Sequence, residues 1–134
     1  MKDILIRLVV TGTVMAILDS IWLSVVANKF YKSQIGNLLL DKPNMAAAVI
    51  FYVIYVIGIV AFALSPALSK DSWTYAAGMG ALLGFVAYAT YDLTNLATLK
   101  GFNVKLVLVD MLWGTLLTSG VSLIAFFAVK QWFS

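Results

Sequence analysis

The chain has 134 residues, of which 63% are hydrophobic and 11% are charged, and its net charge is +3. Soluble domains are about half apolar and about a quarter charged, and a short chain buries the smallest share of its surface. These values exclude an ordinary soluble domain and predict one integral membrane domain. The lack of Cys and His excludes thiol catalysis, disulfides, His-ligated haem and the usual zinc sites.

Four apolar runs are long enough to cross about 30 Å of hydrocarbon as α-helices. They extend over residues 4–26, 45–64, 73–96 and 104–129. The predicted fold class is therefore an all-α integral membrane bundle of four transmembrane helices, in a single domain covering residues 1–134.

The first connection, 28–44, is the longest. It carries Lys29, Lys32 and Lys42, and its apolar residues are spaced roughly like one face of a helix. This pattern predicts either a short helix that lies in the membrane interface or an ordinary polar loop with some buried apolar anchors.

The other two connections are short. The second run ends at Ser65 and Pro66, and a turn at Gly101 joins the third run to the fourth. Both termini then lie on one side of the membrane, with the first and third connections on the other. Those connections carry five basic residues against four on the terminal side, so the positive-inside rule favours the cytoplasm for the connections.

The basic residues do not indicate a nucleic-acid partner. A nucleic-acid-binding domain carries a basic stripe on a soluble fold, whereas most of the basic residues here lie between apolar runs. The lipid bilayer is the expected partner, since anionic headgroups explain the basic excess better. Four lysines form either a solvated rim or a lipid headgroup site: Lys29, Lys32, Lys100 and Lys105.

Three carboxylates fall inside the predicted spans. Asp19 lies in the last third of the first run, Asp92 near the end of the third, and Asp110 near the beginning of the fourth. Because the first and third runs point one way and the fourth returns, all three should reach one level of the bundle. A carboxylate at membrane depth costs about 2.5–3.5 kcal/mol and usually marks a site. The alternative is that these side chains only hold helices together through hydrogen bonds.

Helical spacing adds aromatic and amide side chains at the same level. Asp19 and Trp22 are three residues apart, and Asp110 and Trp113 repeat the pattern, so each pair shares a helix face. Trp and Tyr near span ends are also expected as interfacial anchors. The predicted ligand- or cation-binding residues are Asp19, Trp22, Tyr52, Tyr55, Tyr88, Tyr91, Asp92, Asn95, Asp110 and Trp113.

Small residues predict close packing of the first, third and fourth spans, because they let helix backbones approach one another in lipid. The opposite half of the bundle is nearly all apolar apart from Arg7, whose side chain we expect to extend toward the interface. The small and polar residues that continue the stripe of the site are Ala77, Gly80, Ala81, Gly84, Gly114, Thr118 and Ser122.

Several short stretches resemble the bacterial predicted membrane proteins of domain-of-unknown-function family 2177. They are DSIWL at 19–23, FY and IG within 30–36, FY at 51–52, YATYDLTNLATL at 88–99 and DMLWGT at 110–115. The resemblance implies a bacterial inner membrane protein, and it implies signature positions without assigning them roles. Those positions are Asp19, Trp22, Tyr91, Asp92, Thr94, Asn95, Asp110 and Trp113.

Three classes of function remain open. Oxygen ligands suit protons, Mg²⁺ or Ca²⁺, and aromatics beside carboxylates suit an organic cation. This favours binding or transport of a cation or small solute, and a transport pathway would require a homo-oligomer. The alternatives are an enzyme acting on a membrane lipid or fatty acid and a structural or accessory subunit. No catalytic residue or cofactor is assigned, and any metal would bind Asp19, Asp92 and Asp110.

Overall fold

The structure is a computed structural model that describes residues 2–27 and 44–133. Helix α1 is Lys2–Trp22 and ends in a π-helical turn at Leu23–Ala27. Helix α2 is Met45–Lys70, α3 is Trp73–Thr98 and α4 is Val104–Trp132. The predicted interfacial helix, with Lys29 and Lys32, lies outside the described residues.

Polar side chains determine where three of these helices begin. Asn44, Ser72 and Asn103 precede α2, α3 and α4, and each side chain accepts a hydrogen bond from the backbone N–H three residues later. Such caps satisfy donors that the first helical turn leaves without a partner. The turn between α3 and α4 contains Gly101 at a φ of 88°, a conformation that favours glycine.

The helices form an all-α membrane bundle, as the composition predicted. Three stretches of the described chain, which cover α1, α2 and α4, are long and apolar enough to cross a membrane. Helix α3 has the length, with 26 residues, but its glycines, tyrosines and Asp92 make it less apolar. It turns its small residues toward α4 and exposes Leu82, Phe85 and Val86 on its outer face. The exact limits of the spans in the bilayer stay a prediction.

Helix α2 runs further than the sequence indicated. Ser65 and Pro66 predicted its end, but the helix continues to Lys70. A π-helical turn at Val60–Leu64 precedes the final segment, whose first turn contains Pro66. The π-helical turn changes the hydrogen-bond pattern just before the proline, because the Ser65 N–H bonds to the carbonyl oxygen of Val60, five residues back. Such a turn accommodates a residue without an N–H, so the helix passes Pro66 without ending.

The closest helix pair is α3 with α4. A Cβ atom on Gly80 would lie 2.6 Å from Ser122 Oγ, and one on Gly84 would lie 2.3 Å from the carbonyl oxygen of Gly114. The Ser119 hydroxyl also donates to the carbonyl oxygen of Ala77 across the pair, at 2.8 Å. Backbones this close require glycine, which agrees with the small-residue stripe in the sequence.

The centre of the bundle is apolar. Met15 of α1, Ile59 of α2 and Val121 of α4 are almost completely buried in one cluster. Large apolar residues also cover the outer surface, for example Leu108 and Leu112 of α4. A protein that has lipid as its solvent requires such an apolar exterior. The packed centre fixes the positions of the helices relative to one another, and with them the polar residues near the helix ends.

Candidate functional site

A cavity of about 250 Å³ lies between α1, α3 and α4, at the end of the bundle where α3 turns into α4. We call it the acid cavity. Seven of its ten lining residues are predicted site residues: Asp19, Trp22, Tyr88, Tyr91, Asp92, Asp110 and Trp113. The alternating directions of the helices therefore place the three carboxylates at one level.

Two tryptophans hold α1 against α4 beside the cavity. The rings of Trp22 and Trp113 are stacked, with centroids 4.3 Å apart and planes inclined by 6°. Each follows an aspartate by three residues on its own helix, so the stack brings Asp19 and Asp110 to the same cavity. The sequence predicted the two Asp–Trp pairs but not the stacking of their rings.

The Asp92 side chain has an unusual environment. It is 1% exposed, and its carboxylate faces that of Asp110. Both carboxylate oxygens of Asp92 are buried and find no hydrogen-bond donor among residues 2–27 and 44–133. A second carboxylate supplies none, since ionised carboxylates only accept hydrogen bonds. Buried polar atoms are nearly always satisfied, so the Asp92 carboxylate is suited to face a hydrogen-bond donor or a positive charge.

Asp19 also lines the acid cavity. Its carboxylate faces the Trp113 indole and the Tyr52 hydroxyl. The indole N–H groups of Trp113 and Trp22 are nevertheless buried without an acceptor in the described part of the chain. The cavity wall therefore contains donors without an acceptor as well as acceptors without a donor.

Tyr88 lines the acid cavity and packs against α4. A Cβ atom on Gly114 would lie 2.1 Å from the Tyr88 ring, so the ring packs directly on the backbone of α4. Its other neighbour is Tyr55, whose ring meets it edge to face with centroids 6.4 Å apart. Glycine at position 114 is thus required for the position of Tyr88.

Residues 4–127 match the pattern of the family described as "Predicted membrane protein (DUF2177)". The chain belongs to this family. The match covers every predicted site residue, including those of the acid cavity. No curated protein and no solved structure matches the chain significantly. The DUF2177 description gives a membrane location and no activity, so the function of this family member has to be argued from its geometry.

The remaining predicted residues of this DUF2177 member lie around the acid cavity. Asn95 is close to the Tyr91 side chain, and neither Asn95 nor Tyr52 lines the cavity. Lys100 and Lys105 are exposed beside the α3–α4 turn, and their proposed contact with lipid headgroups stays a prediction.

Sequence reasoning missed three lining residues, which are Leu23, Leu106 and the aromatic Phe102. The Phe102 ring lies in the turn and contacts the Tyr91 ring edge to face, with centroids 6.0 Å apart. The sequence could have indicated Phe102, because it is an aromatic residue directly after Gly101 in an otherwise polar turn.

The three carboxylates share the acid cavity, and a metal ion on them stays a prediction. No group of three or more acidic, His or Cys side chains in the described chain is placed to hold a metal ion. The geometry therefore gives no support to a metal on Asp19, Asp92 and Asp110. Asp92 and Asp110 lie next to one another and share the lining of the cavity with aromatic side chains.

Tyr55 is better explained by packing than by binding. Its hydroxyl and that of Thr118 are hydrogen-bonded at 2.7 Å, and both side chains are buried. We expect Tyr55→Phe to lower the free energy of unfolding by about 0.5–1.5 kcal/mol, because one interhelical hydrogen bond is lost. Unfolding in mixed detergent micelles, followed by circular dichroism, measures the change. The variant should bind any ligand of the acid cavity as the wild type does. Weaker binding would show that Tyr55 is a binding residue.

Proposed function

We propose that this membrane protein binds a small organic cation in the acid cavity, as the binding step of its transport. The observation that carries the proposal is the Asp92 carboxylate, which is buried against Asp110 with no donor among the described residues. An uncompensated charge in a low-dielectric site costs several kcal/mol. A cation that binds between the two carboxylates recovers this energy.

The wall of the cavity favours an organic cation over a metal ion. The stacked Trp22–Trp113 pair and Tyr88 present aromatic surface to the cavity, and ammonium groups bind such surfaces through cation–π contacts. A bare metal ion would require more oxygen ligands at close range than the described carboxylates provide.

The size and the other polar groups of the cavity restrict the ligand further. Its volume of about 250 Å³ is slightly below the ~300–1,000 Å³ of pockets for drug-sized ligands, so the cation is compact. The unpartnered N–H groups of Trp22 and Trp113 would be satisfied by a ligand, or an accompanying water, that also offers an acceptor.

Transport leads to a proposal about assembly and location. Four helices seldom enclose a pathway, so we propose a homo-oligomer in the lipid bilayer. The headgroup contacts of Lys100 and Lys105 belong to the same proposal, because both residues are exposed at the end of the bundle that holds the acid cavity. A bacterial inner membrane is the expected location.

Binding can be measured by the tryptophan fluorescence of the purified protein in detergent micelles, because the Trp22–Trp113 stack lines the cavity. Titration with tetramethylammonium chloride should give a saturable change that NaCl and MgCl₂ at equal ionic strength do not give. Asp92→Asn should weaken binding about tenfold or more, because it removes the charge that attracts the cation.

Asp3→Asn is the matched control for this experiment. Asp3 is an exposed aspartate in the first turn of α1, at the opposite end of the bundle, and its loss should not change binding. Equal affinity in wild type and Asp92→Asn would contradict the proposal. Flux of tetramethylammonium into liposomes containing the protein then separates transport from binding alone.

A further inference from the structure

A second cavity lies at the opposite end of the bundle. Its volume is about 590 Å³, and it shares no lining residue with the acid cavity. We call it the arginine cavity. Its polar lining residues come from α1, α2, the α2–α3 turn and α4: Asp3, Arg7, Ser65, Ser69, Asp71 and Lys130.

Arg7 is a cation without a matching carboxylate. Its Nη1 donates to Ser65 Oγ at 2.9 Å, and its Nε is buried with no hydrogen-bond acceptor in the described chain. Within residues 2–27 and 44–133 no carboxylate lies at ion-pair distance from it. Ser65 of α2 holds the Arg7 guanidinium at this cavity, and the expected extension of the side chain toward the interface stays a prediction.

The carboxylates in the cavity do not neutralise Arg7. Asp71 is paired with Lys130 in a salt bridge, and Asp3 is exposed on the first turn of α1. The two hydroxyls of the cavity, on Ser65 and Ser69, can donate to an anion. The arginine cavity is consequently a place where an anion can bind next to an arginine that has no carboxylate partner among the described residues.

The depth of the cavity corresponds to the lipid headgroups. Trp73, Trp132 and Phe133 are exposed at the same end of the bundle, and aromatic residues mark the membrane–water interface. Ile6 and Leu68 add apolar lining beside the polar groups. We therefore expect the arginine cavity to be accessible both from the headgroup layer and from the adjacent water.

We propose that the arginine cavity binds a phosphate group. A guanidinium is a planar set of N–H donors that suits phosphate oxygens, and the hydroxyls of Ser65 and Ser69 add further donors beside Arg7. The phosphate belongs either to an anionic phospholipid or to a free phosphate in the adjacent water. The proposal is independent of the cation site, since the two cavities have no residue in common.

The test uses the full chain in phosphatidylcholine nanodiscs. One arm adds phosphatidylglycerol to the nanodiscs, and the other adds inorganic phosphate to the buffer. Bound lipid is counted by native mass spectrometry, and thermal unfolding is followed in both arms. We expect Arg7→Gln to weaken binding about tenfold, because a charge-assisted hydrogen-bond pair is lost. Lys2→Gln removes an exposed charge at the same end and should bind like the wild type.

The two arms identify the source of the phosphate. Arg7-dependent binding of phosphatidylglycerol indicates a lipid site, and Arg7-dependent stabilisation by inorganic phosphate indicates a site for free phosphate. Equal behaviour of wild type and Arg7→Gln in both arms overturns the proposal. If Arg7→Gln does not fold, the double variant Ser65→Ala/Ser69→Ala keeps the charge and should still bind several times more weakly, and unchanged binding by that variant also overturns it.

Discussion

Replacing Gly84 with alanine is expected to push α3 away from α4 and to lower the free energy of unfolding by about 1–3 kcal/mol. The new Cβ would lie 2.3 Å from the Gly114 carbonyl oxygen and 2.7 Å from Thr118 Oγ1. A backbone oxygen cannot rotate away as a flexible side chain can, so the helices themselves must separate. Close backbone packing is what associates helices in lipid, and its loss is measured by equilibrium unfolding in mixed detergent micelles.

The same helix offers a matched control. Gly78 is also in α3, but a Cβ atom there would have no neighbour within 4 Å. Gly78→Ala should leave stability unchanged or raise it by about 0.5–1 kcal/mol, because alanine is the better helix former. If Gly84→Ala were as stable as Gly78→Ala, α3 and α4 would not be packed as the structure describes.

Separation of the two helices should also affect the acid cavity. The Tyr88 ring of α3 packs on Gly114 of α4. Asp92 follows Tyr88 by one turn of α3. Cation binding should therefore weaken in Gly84→Ala and stay unchanged in Gly78→Ala.

Asp92→Asn is expected to make the ligand-free protein more stable, by about 1–3 kcal/mol. In the wild type the buried Asp92 carboxylate faces Asp110 and has no donor in the described chain. The asparagine amide carries no charge, and its NH₂ group can donate to the Asp110 carboxylate. Equilibrium unfolding without added organic cation measures the gain.

The sign of this change separates a binding site from a structural clamp. If the Asp92 carboxylate holds helices together, its removal should lower the free energy of unfolding. If it is kept for binding, stability should rise while affinity for the cation falls, which is the usual relation between function and stability at such sites. Asp3→Asn should not change the affinity for the cation, because Asp3 is exposed at the far end of the bundle.

Much of the acid cavity could be predicted because helix direction follows from the number of spans. Asp19, Asp92 and Asp110 reach one level as soon as α1 and α3 run opposite to α4. The close packing of α3 on α4 could be predicted for a similar reason, since glycine and serine at helical spacing make one flat face.

Other features could not be predicted, because they depend on partners far away in the sequence. Tyr55 has the same spacing and polarity as a site residue, but only the structure shows its hydroxyl bonded to Thr118. Pro66 is a reliable local signal for a helix end, and the π-helical turn at Val60–Leu64 overrides it. The ring of Phe102 contributes to the cavity because the turn folds it against Tyr91.

By itself, the amino-acid sequence determined the solvent and the class of this protein. In lipid only helices and closed barrels satisfy the hydrogen bonds of the backbone. A 63% apolar chain with long apolar runs forms helices, because the strands of a barrel alternate apolar and polar residues. Only the tertiary structure decided which polar groups lack a partner. Whether Asp92 or Arg7 is satisfied depends on side chains from other helices, and these are brought to contact by packing and not by order along the chain.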